Sequence, residues 1–355
     1  MRKGPPPSLI RRELLAGAAV TWLVPGAVRA QARRSFVDSA GRRVELPERV
    51  ERIYAAGPPA SILVFAIAPD KLIGWTTAWR EAERPFIARR YADLPTLGRL
   101  TGRGNTANVE VVLQAKPDFI IDYGTVSPTL ASLADRVQQQ TGIPYLLLDG
   151  DFDRMTEAIL QVGRIANEEI RAMELARYAQ DTVSDINRRI AKISRESRPR
   201  VYYGRGPQGL NTGLAGSISA EFIEQLGAVN VAAALGRGGL VQVSIEQVLR
   251  WNPDVVITID SNFHALARSH PLWRELPAIR AGRFHLAPNV PFGWIDFPPS
   301  INRLIGLRWL ASILYPDAFP EDLRPIVRDF YARCYHQTPS ESQLDQLLRP
   351  SSPPA

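Results

Sequence analysis

Arg80, Arg99, Arg103 and Arg205 are interleaved with Trp75, Trp79, Tyr123, Tyr202, Phe292 and Trp294, in stretches rich in glycine and proline. Guanidinium forks recognise carboxylates, catecholates and oxyanions bidentately, and aromatic faces suit large flat or partly apolar groups. That combination describes recognition of an anion rather than catalysis. The chemistry of a hydrolase is not legible: there is no Gly-x-Ser-x-Gly elbow, no reactive-cysteine signature and no histidine pair at metal spacing. Asp151 and Asp153 are close in sequence, but nothing gives them a cleft position. The only histidines, His264, His270, His285 and His336, all lie in the second half, which disfavours a bare divalent cation held from both halves. "GRLTGRGN" (98–105) is no phosphate loop, because no Lys-Ser/Thr follows at the required spacing.

"PFGWIDFPPSINR" (291–303) places aromatics and an acid among prolines, ahead of the apolar "LIGLRWLASILY". The pattern predicts a helix from about Pro299-Ser300, with a stiff loop before it. Phe292 and Trp294 are then expected to face a ligand, the alternative being a hydrophobic plug. Asp296 either takes a hydrogen bond or caps the helix, and Arg303 is a ligand contact or an ion-pairing surface residue. Pro58, in "GPPAS", either lines a site or only opens a helix. "GRGPQGLNTGLAGS" (204–217) has five glycines in fourteen residues, which permits close approach of backbone to a ligand. Ser217, with Glu221 beyond it, is a plausible entry to the next helix, whose free N–H groups favour anions.

The elements that must carry these loops announce themselves by repetition. "EVVLQAKPDFII" (110–121) and "EQVLRWNPDVVI" (246–257) share Glu, Val, Leu, Pro, Asp and Ile in register, 136 residues apart. Each reads as an amphipathic helix stopped by proline, followed by a buried parallel strand. Strand-like runs at 52–57, 71–76, 118–124 and 144–150, and again at 200–206, 254–260 and 283–288, alternate with helical stretches. Parallel sheets follow, with ligand sites beyond the carboxyl ends of the strands. Between the halves, 153–197 holds one interior glycine and no proline. It predicts one long helix, or two nearly continuous ones, joining two three-layer α/β lobes with mostly parallel sheets.

The ends and totals bound the rest. Arg11-Arg12, a short apolar run and "VRAQA" have the order of a twin-arginine export signal, cleaved after Ala30 or Ala32. Residues 1–30 hold five Lys/Arg and one Glu, so the formal +7 falls to about +3 once they are removed. That is too mild for nucleic acid. The single cysteine, Cys334, cannot form an internal disulfide and reads as a buried thiol. The expected organisation is a signal at 1–32, an N-terminal lobe at 33–152, the joining helix at 153–197, a C-terminal lobe at 198–335 and a tail at 336–355.

"FVDSAGRRVELPERVERIYAAGPPASILVFAIAPDKLIGW" (36–75), with the two helix-to-strand echoes, resembles the helical-backbone periplasmic binding proteins that serve ABC importers of ferric siderophores, haem, cobalamin and some metal or oxyanion ligands. The resemblance runs from about 36 to 316. It implies a monomeric, non-enzymatic periplasmic protein with no resident cofactor, while the lack of Cys near either cleavage point and the short apolar run predict no lipid anchor and no stable membrane insertion. Its partners would be an ABC permease with its ATPase, and its ligand a small-molecule metal chelate, best an anionic ferric chelate of the siderophore type. Haem through Tyr123, Tyr202 or Tyr203, cobalamin, molybdate or tungstate, and a nickel chelate stay open, as does a secreted enzyme or sensor. Docking to permease arginines is expected through Glu221 or Glu224 in the second lobe. The first lobe departs from the family pattern with Ser61 where an acid is usual, leaving Glu81 or Glu83 for that contact.

Overall fold

In the computed structural model, residues 1–4, 33–102 and 107–348 are described. The chain divides into Met1–Ala32 and Arg33–Ala355, and the second unit carries everything that follows. Residues 5–32 of the expected signal segment, and Arg103, lie outside the described residues. Among those described, no helix is long and apolar enough to cross a membrane.

Among the described residues, eleven strands appear in chain order: β1 (Arg33–Val37), β2 (Arg43–Pro47), β3 (Ile53–Ala55), β4 (Phe119–Gly124), β5 (Tyr145–Asp149), β6 (Arg200–Gly204), β7 (Asn211–Gly213), β8 (Val229–Asn230), β9 (Leu240–Gln242), β10 (Val255–Thr258) and β11 (Phe284–Leu286). The first lobe is a parallel sheet in the order β3-β4-β5, and the second a parallel sheet in the order β11-β10-β6-β8. Two antiparallel pairs, β1-β2 and β7-β9, flank them. The expected strand at 71–76 is reduced to isolated bridges, Ile53 with Leu72 and Trp75 with Thr96. Pro69 opens a short 3-10 turn at Pro69–Lys71, so the chain enters this stretch too late to pair fully.

The sequence echo is a repeated piece of engineering. Helix Val109–Ala115 is capped by Asn108 and closed by Lys116 at φ 47°; helix Ile245–Trp251 is capped by Ser244 and closed by Asn252 at φ 45°. In each copy proline follows, and the aspartate after it fastens the neighbouring strand. Asp118 accepts the Arg52 N–H at 2.8 Å, and Asp254 accepts the Arg200 N–H at 2.8 Å. Both arginines return the favour to the end of the preceding helix: Arg52 donates to the Ala115 carbonyl, Arg200 to that of Trp251. The recurring Asp is therefore a strand-register device.

Side-chain alternation sorts each strand between two faces. Along β4, Phe119, Ile121 and Tyr123 enter a large core. Ile120 enters a smaller one, beneath helices Val109–Ala115 and Pro128–Thr141. In the second lobe Tyr203 and Ile257 join that same large core, so apolar packing runs continuously through both lobes, while Tyr202 and Val256 face a core of their own. This is the expected three-layer α/β arrangement.

Two expectations about organisation change. The stretch 153–197 is not a single rod: helix Met155–Ala166 ends at Asn167, in the left-handed region, and helix Glu169–Ile190 begins two residues later. A Cβ on Gly163 would lie 2.2 Å from that of Ala172, so the two helices fold against one another at a glycine contact. Only the second of them runs on toward the second lobe. The expected tail is folded as well. It follows helix Leu323–Tyr335, the last of the expected C-terminal lobe, which buries Tyr331, Cys334 and Tyr335. Helix Glu341–Leu347, with a full capping box from Ser340 and Gln343, buries Leu344. Gln343 donates to the Pro85 carbonyl at 2.9 Å, tying the C-terminus to the first lobe.

Candidate functional site

A cleft of about 200 Å³ opens where the carboxyl ends of the first sheet meet the second lobe. Its first-lobe wall is Pro58-Pro59, Thr101-Gly102, Asp122 to Val126 and Leu130; Ile218 and Pro299 close it from the other side. The positions follow from local structure. Pro58 and Pro59 occupy the first turn of helix Pro58–Ile67, where a missing N–H costs nothing. Thr125 and Val126 precede Ser127, whose hydroxyl caps helix Pro128–Thr141 by accepting the Leu130 N–H. Two helix N-termini, with their positive dipole ends, thus border one small volume.

Asp122 is the charged group of this wall. It is 7 % exposed, and burial pushes its carboxyl up to about 6, against the pull of hydrogen bonds from the Thr101 hydroxyl and the Tyr123 N–H. Gly57 is what lets these groups meet: a Cβ there would stand 2.7 Å from Thr101 Oγ1 and 3.3 Å from Asp122 Oδ1. Tyr123 points to the opposite face of the sheet, and burial raises its hydroxyl although the Arg303 guanidinium lies beside it.

Behind the cleft the lobes are joined by polar contacts. Arg303 is 0 % exposed; it pairs with Glu221, donates to the Gly150 carbonyl at 2.5 Å and lies 4.8 Å over the Phe152 ring. Glu221 also accepts the Phe152 N–H at 3.2 Å, and its carboxyl is raised by burial despite Arg303. The Ser300 hydroxyl donates to the Pro59 carbonyl at 2.8 Å. Gly150 and Pro59 belong to the first lobe, Glu221 to the second. Arg303 is therefore an interlobe tie, not a surface ion pair.

Of the anticipated ligand contacts among the described residues, the structure brings Pro58 and Tyr123 to the cleft and places the others outside its lining. Trp75 is core: its Nε1 donates to the Tyr91 carbonyl at 2.7 Å, and its ring meets Phe65 edge-on at 5.1 Å. Trp79 and Phe292 pack on each other with centroids 5.5 Å apart, and Phe292 continues to Tyr335 at 5.2 Å. Trp294 is 0 % exposed and donates to the Tyr331 hydroxyl at 3.1 Å. The plug, not the ligand wall, is what 292–294 build. Tyr202 is buried in the separate second-lobe core, its hydroxyl donating to the Gly209 carbonyl at 2.6 Å. Arg80 is a surface residue held by Glu83 at 2.6 Å. Arg99 is half-buried, and its carbonyl accepts the Ala107 N–H at 3.1 Å.

Arg205 lies 2.8 Å from Asp296, which also accepts the Tyr203 hydroxyl at 2.9 Å and the Phe297 N–H at 2.7 Å. Asp296 therefore takes the hydrogen-bonding role, and the helix begins later than expected, at Arg303–Leu314 with Asn302 at its N-cap. Glu221 is mostly buried by its tie to Arg303, which removes it as a surface docking group. Glu224 is exposed and accepts the Gly216 N–H at 3.1 Å. Sequence reasoning counted Thr101 only as part of the candidate cleft loop 98–105, and passed over Asp122 and Ile218. The available signal for Asp122 was an acid at the end of an otherwise apolar strand, "DFIIDYG".

The comparisons agree with this architecture. A family model described as periplasmic binding protein matches residues 76–291, more than half of the chain. An ABC transporter solute binding protein from Sulfurospirillum deleyianum superposes with a TM-score of 0.79 at 30% identity, covering 89% of this chain and 99% of that one. The molybdate-binding protein MolA of Haemophilus influenzae is 26% identical over 328 residues, 86% of this chain and 92% of MolA. Its structure with molybdate bound superposes with a TM-score of 0.72 at 23% identity, covering 86% and 99% of the two chains. Among the described residues, no group of three or more His, Cys, Asp or Glu could hold a metal ion. Two parallel-sheet lobes, a ligand-sized cleft between them and a family match across both make this chain a member of the periplasmic binding protein family, a substrate-binding protein of an ABC importer.

Proposed function

We propose that the cleft binds a small oxyanion of the molybdate and tungstate class and presents it to an ABC permease. Its size carries this reading: about 200 Å³ suits a tetrahedral anion, whereas drug-sized ligands take roughly 300–1,000 Å³. Haem and hexadentate ferric chelates belong to the larger class. The two helix N-termini turn their positive dipole ends toward the cleft, which favours an anion there. Arg205 and Arg303 are each already matched by a carboxylate, which takes up two of the arginines that a siderophore called for. The likeness to MolA points the same way.

A ferric chelate is the second reading, favoured by one observation. Much of the lining is apolar, and Phe297, two residues from Pro299, is 64 % exposed, as an organic shell would want. Export through a signal in residues 1–32, without a lipid anchor, and permease docking through Glu224 complete the proposal. Calorimetric titration of the mature chain with molybdate, tungstate, sulfate, haem and ferric hydroxamate, catecholate and citrate chelates tests it. One-to-one binding of molybdate or tungstate is expected. Saturable binding of a ferric chelate alone would transfer the assignment to the second reading.

A further inference from the structure

We propose that Asp122 selects among anions in the cleft: as the neutral acid it donates its proton to an oxygen of a fully deprotonated oxyanion, and as the carboxylate it repels that ligand. The inference rests on the oxyanion reading above and adds to it a coupling between binding and proton uptake.

The geometry is the basis. Asp122 ends the central strand of the first sheet and lines the cleft. Two donors, the Thr101 hydroxyl and the Tyr123 N–H at 3.0 Å, hold the carboxyl in place. An ionised carboxyl has about four lone-pair sites and no donor. Opposite a dianion it brings charge repulsion across a small cleft. Protonated, the same group offers the bound anion an O–H. Ligand binding above the carboxyl's own pKa must therefore draw one proton from solvent onto Asp122, with no other bond made or broken.

Among the described residues, the groups that share Asp122's face of the sheet do not compete for that role. Tyr54 from β3 and Tyr145 from β5 share its face, and burial raises both phenols, Tyr54 to about 12. Arg42 reaches the Tyr145 carbonyl and is paired with Asp38. The helices covering this face present Val112, Leu130, Ala134 and Val137. Glu221, Arg303 and the Tyr123 hydroxyl lie with the other face. Burial holding the carboxyl near 6 is consistent with a group that changes state under ordinary conditions.

The test is calorimetry of molybdate binding between pH 5 and pH 8 to wild type and Asp122→Asn. For wild type the dissociation constant should rise toward tenfold per pH unit above the carboxyl's pKa, on the order of 100-fold in all. At pH 7 the observed heat should vary with buffer ionisation enthalpy as uptake of about one proton requires. Asp122→Asn keeps a donor at every pH, so its affinity should be flat and should exceed that of wild type at pH 8. Flat wild-type affinity with no proton uptake would overturn the inference, as would an unchanged slope in Asp122→Asn. If the variant does not fold, the wild-type proton count alone decides. Folded wild type that binds no molybdate at any pH is a different failure, that of the oxyanion reading itself.

Discussion

Replacing Arg303 by Met removes the guanidinium from a fully buried position and leaves the Glu221 carboxylate behind it, with the Gly150 carbonyl short of a donor. Breaking a buried ion pair by removing one partner costs about 3–5 kcal/mol, because an uncompensated charge stays in low dielectric. Native stabilities are roughly 5–15 kcal/mol, so the loss is a large part of the total. At about 2 °C per kcal/mol for a protein of this size, the melting temperature should fall by roughly 6–10 °C. A double variant, Glu221→Leu with Arg303→Met, removes the orphaned charge and should recover more than half of the loss, since apolar replacement of a whole buried pair is often neutral. In the single variant Glu221 is raised further above its unfolded value. Its destabilisation should therefore shrink as pH falls through that raised value and the carboxyl is neutralised. Scanning calorimetry and urea titration of the two single variants and the double at pH 7.5 and pH 5 measure all three quantities. A single-variant loss under 1 kcal/mol, or a double variant no better than the sum of its parts, would refute the view that this pair ties the lobes.

Trp294→Ala should cost about 3–5 kcal/mol of stability by opening a core cavity; ligand affinity of the folded fraction should stay within threefold of wild type, as calorimetry would show. Gly57→Ala forces Thr101 off Asp122 without backbone strain, since Gly57 sits at φ −141°; titration should find molybdate binding weakened at least tenfold, with a modest fall in melting temperature. His264 and His336 are both depressed to about 4 by burial first, with nearby arginines adding to it. Their unfolded forms take up protons below about 6.5 while the folded forms resist until about 4, so stability is lost as pH falls through that window, by up to ~3 kcal/mol each. Asp122, raised by burial, works in the opposite sense over nearly the same range. Urea midpoints at pH 7 and pH 5 should show His336→Asn losing less on acidification than wild type; an equal loss would rule the histidine out.

The architecture was legible because it repeats. A helix, a proline stop and a strand, written twice at one offset, can be read without contacts, and the Asp that recurs with them proves to fasten strand to strand. The site was less legible, for a physical reason. Residue type marks what a side chain can do, whereas burial and partners decide whether it is free to do it. Arg205 and Arg303 have the chemistry of anion receptors, but Asp296 and Glu221, distant in sequence, claim them. Phe292 and Trp294 read as ligand-facing because sequence does not show that the C-terminal helix brings Tyr335 and Tyr331 to pack on them. The fold-back at Asn167 was hidden because Asn in the left-handed region leaves helical periodicity intact on both sides. The cleft itself is lined largely by small and apolar residues, whose placement at strand ends matters more than their identity.

Anomalous diffraction at the tungsten edge from crystals of the mature protein grown with tungstate would test the oxyanion cleft most directly. One tungsten per chain, between Thr101, Asp122 and Thr125 on one side and Ile218 and Pro299 on the other, is the expected result. Tungsten elsewhere, or none in crystals whose cleft instead takes up a ferric chelate, would contradict it.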